Sequence, residues 1–119
     1  MKALALAAVA LALVAARDDP LKGYAVSGKP ENCIQPFSND GPQIVDAHTI
    51  LYREGASRFW RTGPIGACPA LRPFTTLIVE RFGGQLCRND RFRVLEPGVR
   101  IPSAYCRFDR FTPYTKPKR

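Results

Sequence analysis

The chain has 119 residues, with 18 basic against 10 acidic side chains, a formal net charge of +8, four cysteines and one histidine. A chain of this length is expected to form one ordinary domain with one core. The single histidine excludes a paired-histidine acid–base site, and basicity of this size bears on solubility and encounter without naming a partner.

Met1 and Lys2 lead into residues 3–16, a run of only Ala, Leu and Val that ends in small residues before Arg17-Asp18-Asp19. A short cationic start, an apolar stretch and a small-residue cleavage point predict a secretory signal peptide over 1–16. The run is shorter than the ~20 apolar residues that cross a bilayer as a helix, so no transmembrane segment is expected in the mature chain. The expected location is periplasmic or extracellular, where thiols are oxidised. Of the basic residues 13 are Arg and 5 are Lys. That bias suits forked binding of phosphate or carboxylate, and a GC-rich codon usage produces it equally well.

Residues 17–31 are mostly charged, Gly or Pro, with Leu21, Tyr24 and Val26 as the main apolar side chains, and predict a flexible leader. A β domain is expected over 32–112. Prolines fall between short runs rich in Val, Ile, Phe, Tyr and Thr, and no window shows a sustained 3.6-residue period, so long helices are not expected. Strands are predicted at 44–53, 57–62, 74–82, 85–88, 91–96 and 103–111. Gly83-Gly84 reads as a tight hairpin turn and Asn89-Asp90 as a second turn capped by Asp90, which makes the middle of the chain a meander. Apolar residues on both faces of 74–82 predict a central strand. Alternation sets Phe92 and Val94 against Arg91 and Arg93, and sets Cys106 and Phe108 against Tyr105, Arg107, Asp109 and Phe111. The predicted class is mainly β, a small five- or six-stranded antiparallel barrel or sandwich with two disulfides. Residues 113–119 alternate Pro with basic residues and read as a basic, solvated tail.

Cys33, Cys68, Cys87 and Cys106 are separated by 35, 19 and 19 residues, with no close Cys pair. Structural zinc and redox sites take their cysteines in close pairs, so neither is expected. Two disulfides are, and spacing permits all three pairings. The favoured one joins Cys33 to Cys106 across the ends of the domain and Cys68 to Cys87 around the 74–82 strand. Loop entropy makes these worth about 4.5 and 3 kcal/mol.

The segments Asn32-Cys33-Ile34, Ile44-Val-Asp-Ala-His-Thr-Ile50, Ala67-Cys68-Pro-Ala-Leu71, Leu86-Cys87-Arg-Asn-Asp90-Arg-Phe-Arg-Val94 and Tyr105-Cys106-Arg-Phe108 follow one another in order. In this pattern the chain resembles a family of small exported proteobacterial four-cysteine proteins of unknown function, over residues 32–115. The Leu-Cys-x-x-Asp and Asp-x-x-Thr-Ile stretches carry most of the likeness. The resemblance implies a bacterial envelope location and a small β-rich domain, and it brings no activity, ligand or catalytic residue. The stretch 98–103 before the last cysteine is longer than the family pattern.

Asp46 and His48 stand two apart in a predicted strand, so their side chains share a face and the carboxylate could orient the imidazole. That is half of a general-base arrangement. The nucleophile elbow that would complete a hydrolase is absent from the sequence. Asp90, Glu80, Glu96 and Asp109 are scattered without metal-loop spacing, and Gly63-Pro-Ile-Gly66 lacks the lysine of a phosphate loop. No metal and no cofactor are expected.

The strongest functional signal is arginine interleaved with aromatics in Arg58-Phe-Trp-Arg61, Arg91-Phe-Arg93 and Tyr105-Cys-Arg-Phe-Asp-Arg-Phe111. With these strands adjoining, Arg91, Arg93, Arg107 and Tyr105 share an outer face that pairs cations with a stacking platform. A half-buried strand with Phe inward and Arg outward has the same pattern. The expectation is an exported binding or structural domain with an anionic ligand or partner, such as a lipopolysaccharide phosphate, an acidic glycan or an acidic protein, held by Arg58, Arg61, Arg91, Arg93, Arg107 and Tyr105. Nucleic acid is not the expected partner, being uncommon outside the cytoplasm. The alternatives are a small hydrolase or nuclease using His48 and Asp46, or an enzyme-inhibitor-like domain. The oligomeric state is left open.

Overall fold

The computed structural model describes residues 19–35, 41–81 and 83–117. The signal peptide expected over 1–16 and the last two residues of the expected tail lie outside them. The described residues form ten short strands and no helix: β1 Ala25–Val26, β2 Cys33–Ile34, β3 Gln43–Asp46, β4 Thr49–Glu54, β5 Arg58–Thr62, β6 Thr76–Val79, β7 Leu86–Cys87, β8 Arg91–Leu95, β9 Cys106–Arg107 and β10 Thr112–Thr115. All pairings are antiparallel. They make a five-stranded sheet of order β1-β10-β5-β4-β3, a three-stranded sheet β6-β8-β9 and the pair β2-β7.

The β4–β5 hairpin is the longest ladder, running from Ile50 opposite Thr62 to Glu54 opposite Arg58. Its two strands are dense in β-branched and aromatic residues, which suit a pleated half-buried surface. Gly55, at φ 70°, takes the left-handed conformation that a side chain strains. The single strand predicted over 44–53 is instead a second hairpin, β3–β4, in which Asp46 pairs with Thr49 around Ala47-His48. Asp46 Oδ1 accepts the His48 backbone N–H at 2.8 Å, and this local bond reverses the chain.

Parts of the expected leader and tail are sheet. β10 lies between β1 and β5, pairing Thr115 with Ala25 on one side and with Arg58 on the other. Pro113 occupies this ladder because its missing donor faces the end of the short β1. Ser27 N–H donates to the Pro113 carbonyl at 2.9 Å, the proline has no N–H to return, and β1 stops.

The expected meander is broken by β7, which leaves its sequence neighbours and pairs with β2, Cys33 against Cys87 and Ile34 against Leu86. Gly83-Gly84 therefore closes no hairpin. β6 pairs with β8 and is an edge strand, not a central one. Phe74, expected within it, precedes it at φ 69° and is 93% exposed. Phe111 is fully buried rather than outward, because β9 ends at Arg107 and the chain turns before the Glu31–Phe111 bridge, which breaks the two-residue parity.

One buried cluster joins the sheets. Ile44, Ile50 and Tyr52 from the large sheet meet Phe92 and Val94 from β8, Ile34 and Leu86 from the β2–β7 pair, and Cys68, Leu71, Phe108 and Phe111. The Phe92 and Phe108 rings lie 4.4 Å apart at its centre. The disulfides are Cys33–Cys87 and Cys68–Cys106, which corrects the favoured pairing. The ends of the domain need no cross-link, since β1 on β10 and the Glu31–Phe111 bridge already join them. Cys33 and Cys87 stand directly across the β2–β7 pair, and Cys106 faces inward opposite Phe92.

Candidate anion-binding face

Along β8, Phe92 and Val94 turn into the core and Arg91 and Arg93 stay on the outer face. Register places Arg107 directly opposite Arg91, and Cys106 opposite Phe92. Ser103 N–H donates to the Val94 carbonyl at 2.9 Å, so the returning chain spends one more residue than β8 between these two contacts. A surplus residue of this kind re-aims a side chain. The one it serves is Tyr105, whose ring centroid lies 4.5 Å from Arg91 Cζ and 4.6 Å from Arg93 Cζ.

Hydrogen bonds fix the group. The Tyr105 hydroxyl donates to Glu80 Oε2 at 2.9 Å, and Arg91 Nη2 donates to Glu80 Oε1 at 3.0 Å. Arg93 Nε donates to the Ser103 carbonyl at 3.2 Å, and Arg107 Nη1 to Asn89 Oδ1 at 3.4 Å. Of the three arginines Arg91 pairs with the Glu80 carboxylate, Arg93 and Arg107 are held by neutral oxygens, and the Tyr105 ring stacks with Arg91 and Arg93. Glu80 reads in the sequence as a scattered acid. The signal was there, since alternation through Leu77 and Val79 puts Glu80 on the outer face with Ile78.

Arg58 and Arg61 do not join this face. Arg58 Cζ lies 4.7 Å over the Trp60 ring, and Arg58 is paired with Glu54 at 3.6 Å. Glu54 also accepts the Trp60 indole N–H at 2.9 Å. Arg61, three residues on, projects from the opposite side of β5, where its Nη2 reaches Thr49 Oγ1 at 3.4 Å. The six-residue set read from sequence is therefore divided, with Arg91, Arg93, Arg107 and Tyr105 together and the other two apart.

Asp46 and His48 occupy the β3–β4 turn, and the carboxylate accepts the histidine's backbone N–H. His48 lines a shallow cleft with Arg61, Gly63, Asp109 and Arg110. Asp90 accepts the Cys87 N–H at 2.8 Å and closes its own turn. Glu96 is paired with Arg72, and Asp109 with Arg88 at 3.3 Å. Burial pushes the Tyr52 hydroxyl well above the ordinary tyrosine value, with Arg81 acting the other way. Among the described residues no group of three or more His, Cys, Asp and Glu is placed to hold a metal ion, and no helix is long and apolar enough to cross a membrane. No protein-family model, curated protein or solved structure matches the chain.

Proposed function

We propose that this chain is an exported, non-catalytic binding domain of the cell envelope, and that its ligand is anionic and engaged at Arg91, Arg93 and Arg107 around Tyr105. Membership of the four-cysteine family of small exported proteins belongs to the same proposal. The observation that carries it is the Arg91–Tyr105–Arg93 stack, in which one ring holds two cations at 4.5 and 4.6 Å on a sheet face. Guanidinium groups held this way lose little freedom on meeting a phosphate or carboxylate. The test is retention of the purified protein on immobilised heparin. Retention at low ionic strength that falls as salt is added is the expected result. No retention at low ionic strength, or retention indifferent to salt, overturns the proposal.

A further inference from the structure

Six large apolar side chains stand exposed among the described residues, and four of them, Ile78, Val99, Ile101 and Tyr105, belong to the β6-β8-β9 sheet or to the connection from β8 to β9. Ile78 lies directly across from Arg93 on the outer face. The connection is held at both ends. Val99 N–H donates to the Glu96 carbonyl at 3.1 Å, and Ser103 donates to Val94 at 2.9 Å. Between these anchors Val99-Arg100-Ile101 projects, with Ile101 81% exposed. The arginine face thus carries an exposed Ile78 beside Arg93, and the connection that leads from β8 back to Tyr105 exposes Val99 and Ile101.

Small soluble domains seldom expose apolar side chains next to a cationic cluster unless something apolar and anionic covers both. A free glycan or phosphate satisfies the arginines and leaves Ile78, Val99 and Ile101 in water. An anionic bilayer satisfies both. Its headgroup phosphates meet Arg91, Arg93, Arg100 and Arg107, its acyl boundary takes Val99 and Ile101, and Tyr105 suits the boundary between the two. We infer that the β6-β8-β9 face docks on the surface of an anionic lipid bilayer, with Val99 and Ile101 inserted at the headgroup boundary and the arginines level with the phosphates. This rests on the anion-binding reading and names its ligand.

The experiment is co-sedimentation of the purified chain with vesicles of phosphatidylglycerol and phosphatidylcholine, and with phosphatidylcholine alone, beside heparin retention of the same samples. Strong partition to the anionic vesicles and little to the zwitterionic ones is expected. Ile101→Ser should lower that partition about tenfold while leaving heparin retention unchanged. Arg91→Ala should lower vesicle binding about fivefold and weaken heparin binding too. Because Ile101 is exposed, its variant keeps the fold, which the Cys33–Cys87 and Cys68–Cys106 map verifies. Heparin retention without vesicle binding, or an Ile101→Ser variant that partitions like the parent, overturns the bilayer inference alone. Failure on both supports overturns the anion-binding reading with it.

Discussion

Arg91 and Arg107 face each other in register across the β8–β9 pair, two like charges on the same side of a sheet. Direct opposition of like charges costs stability, and among the described residues the one carboxylate paired with either arginine is Glu80, 3.0 Å from Arg91. Arg107→Glu should therefore raise stability by about 0.5 kcal/mol in chemical denaturation while weakening heparin binding. A variant that is both less stable and equally well retained contradicts this.

Gly63 has no room for a side chain. A Cβ there would run into the His48 backbone carbonyl, while one at Gly84 meets nothing within 4 Å. Gly63 also accepts the Asp109 N–H at 2.9 Å, so its backbone cannot shift without loosening the approach to Phe108 and Phe111. Gly63→Ala should cost roughly 2–3 kcal/mol, and Gly84→Ala should stay within about 0.5 kcal/mol of the parent. Urea denaturation of the two variants reads the difference.

The parts of the fold legible in the sequence are those set by alternation within one strand. Phe92 and Val94 inward with Arg91 and Arg93 outward follow from the two-residue period alone. What sequence reading misses depends on long-range partners. Nothing local to Leu86-Cys87 says that it pairs with Cys33-Ile34, a separation of 54 residues between the bonded cysteines. Pro113 argues against a strand until one knows that its missing donor faces the point where β1 ends. Arg58 and Arg61, an odd spacing apart on β5, stand on opposite faces, so the six candidate residues do not form one surface. Phe111 departs from its expected face because the two-residue parity of β9 ends at Arg107, before the Glu31–Phe111 bridge.

The two disulfides should differ in worth. Their loops, 54 and 38 residues, give nearly equal entropic terms of about 4 kcal/mol each. Cys68 is buried in the core cluster, whereas Cys33 is half-buried on the β2–β7 pair. Replacing Cys68 and Cys106 by serine should thus destabilise more than replacing Cys33 and Cys87, because it also places a hydroxyl in the core. Denaturation of both double variants ranks them, and a non-reduced digest should show these two linkages.

Alkaline stability should report Tyr52. Its hydroxyl pKa is raised in the folded state, so the proton is held there after the unfolded chain has begun to release it near the ordinary value of 10.0. Below that pH both states keep the proton and the group adds no pH dependence. Above it the unfolded state binds fewer protons, so stability falls with rising pH, by up to about 1.4 kcal/mol per pH unit. Tyr52→Phe should remove this part of the decline. Denaturation of parent and variant between pH 9 and pH 11, roughly the span of tyrosine ionisation, gives the comparison.

The most direct test of a localised anion-binding face compares two variants of equal net charge. Arg91→Ala with Arg107→Ala removes two charges from the Tyr105 face, and Arg58→Ala with Arg61→Ala removes two from separate places on the large sheet. Heparin affinity of the first pair should fall about 25-fold, at about fivefold for each arginine, while the second stays close to the parent. Equal losses in the two variants would mean that the chain's overall basicity, and not this face, holds the anion.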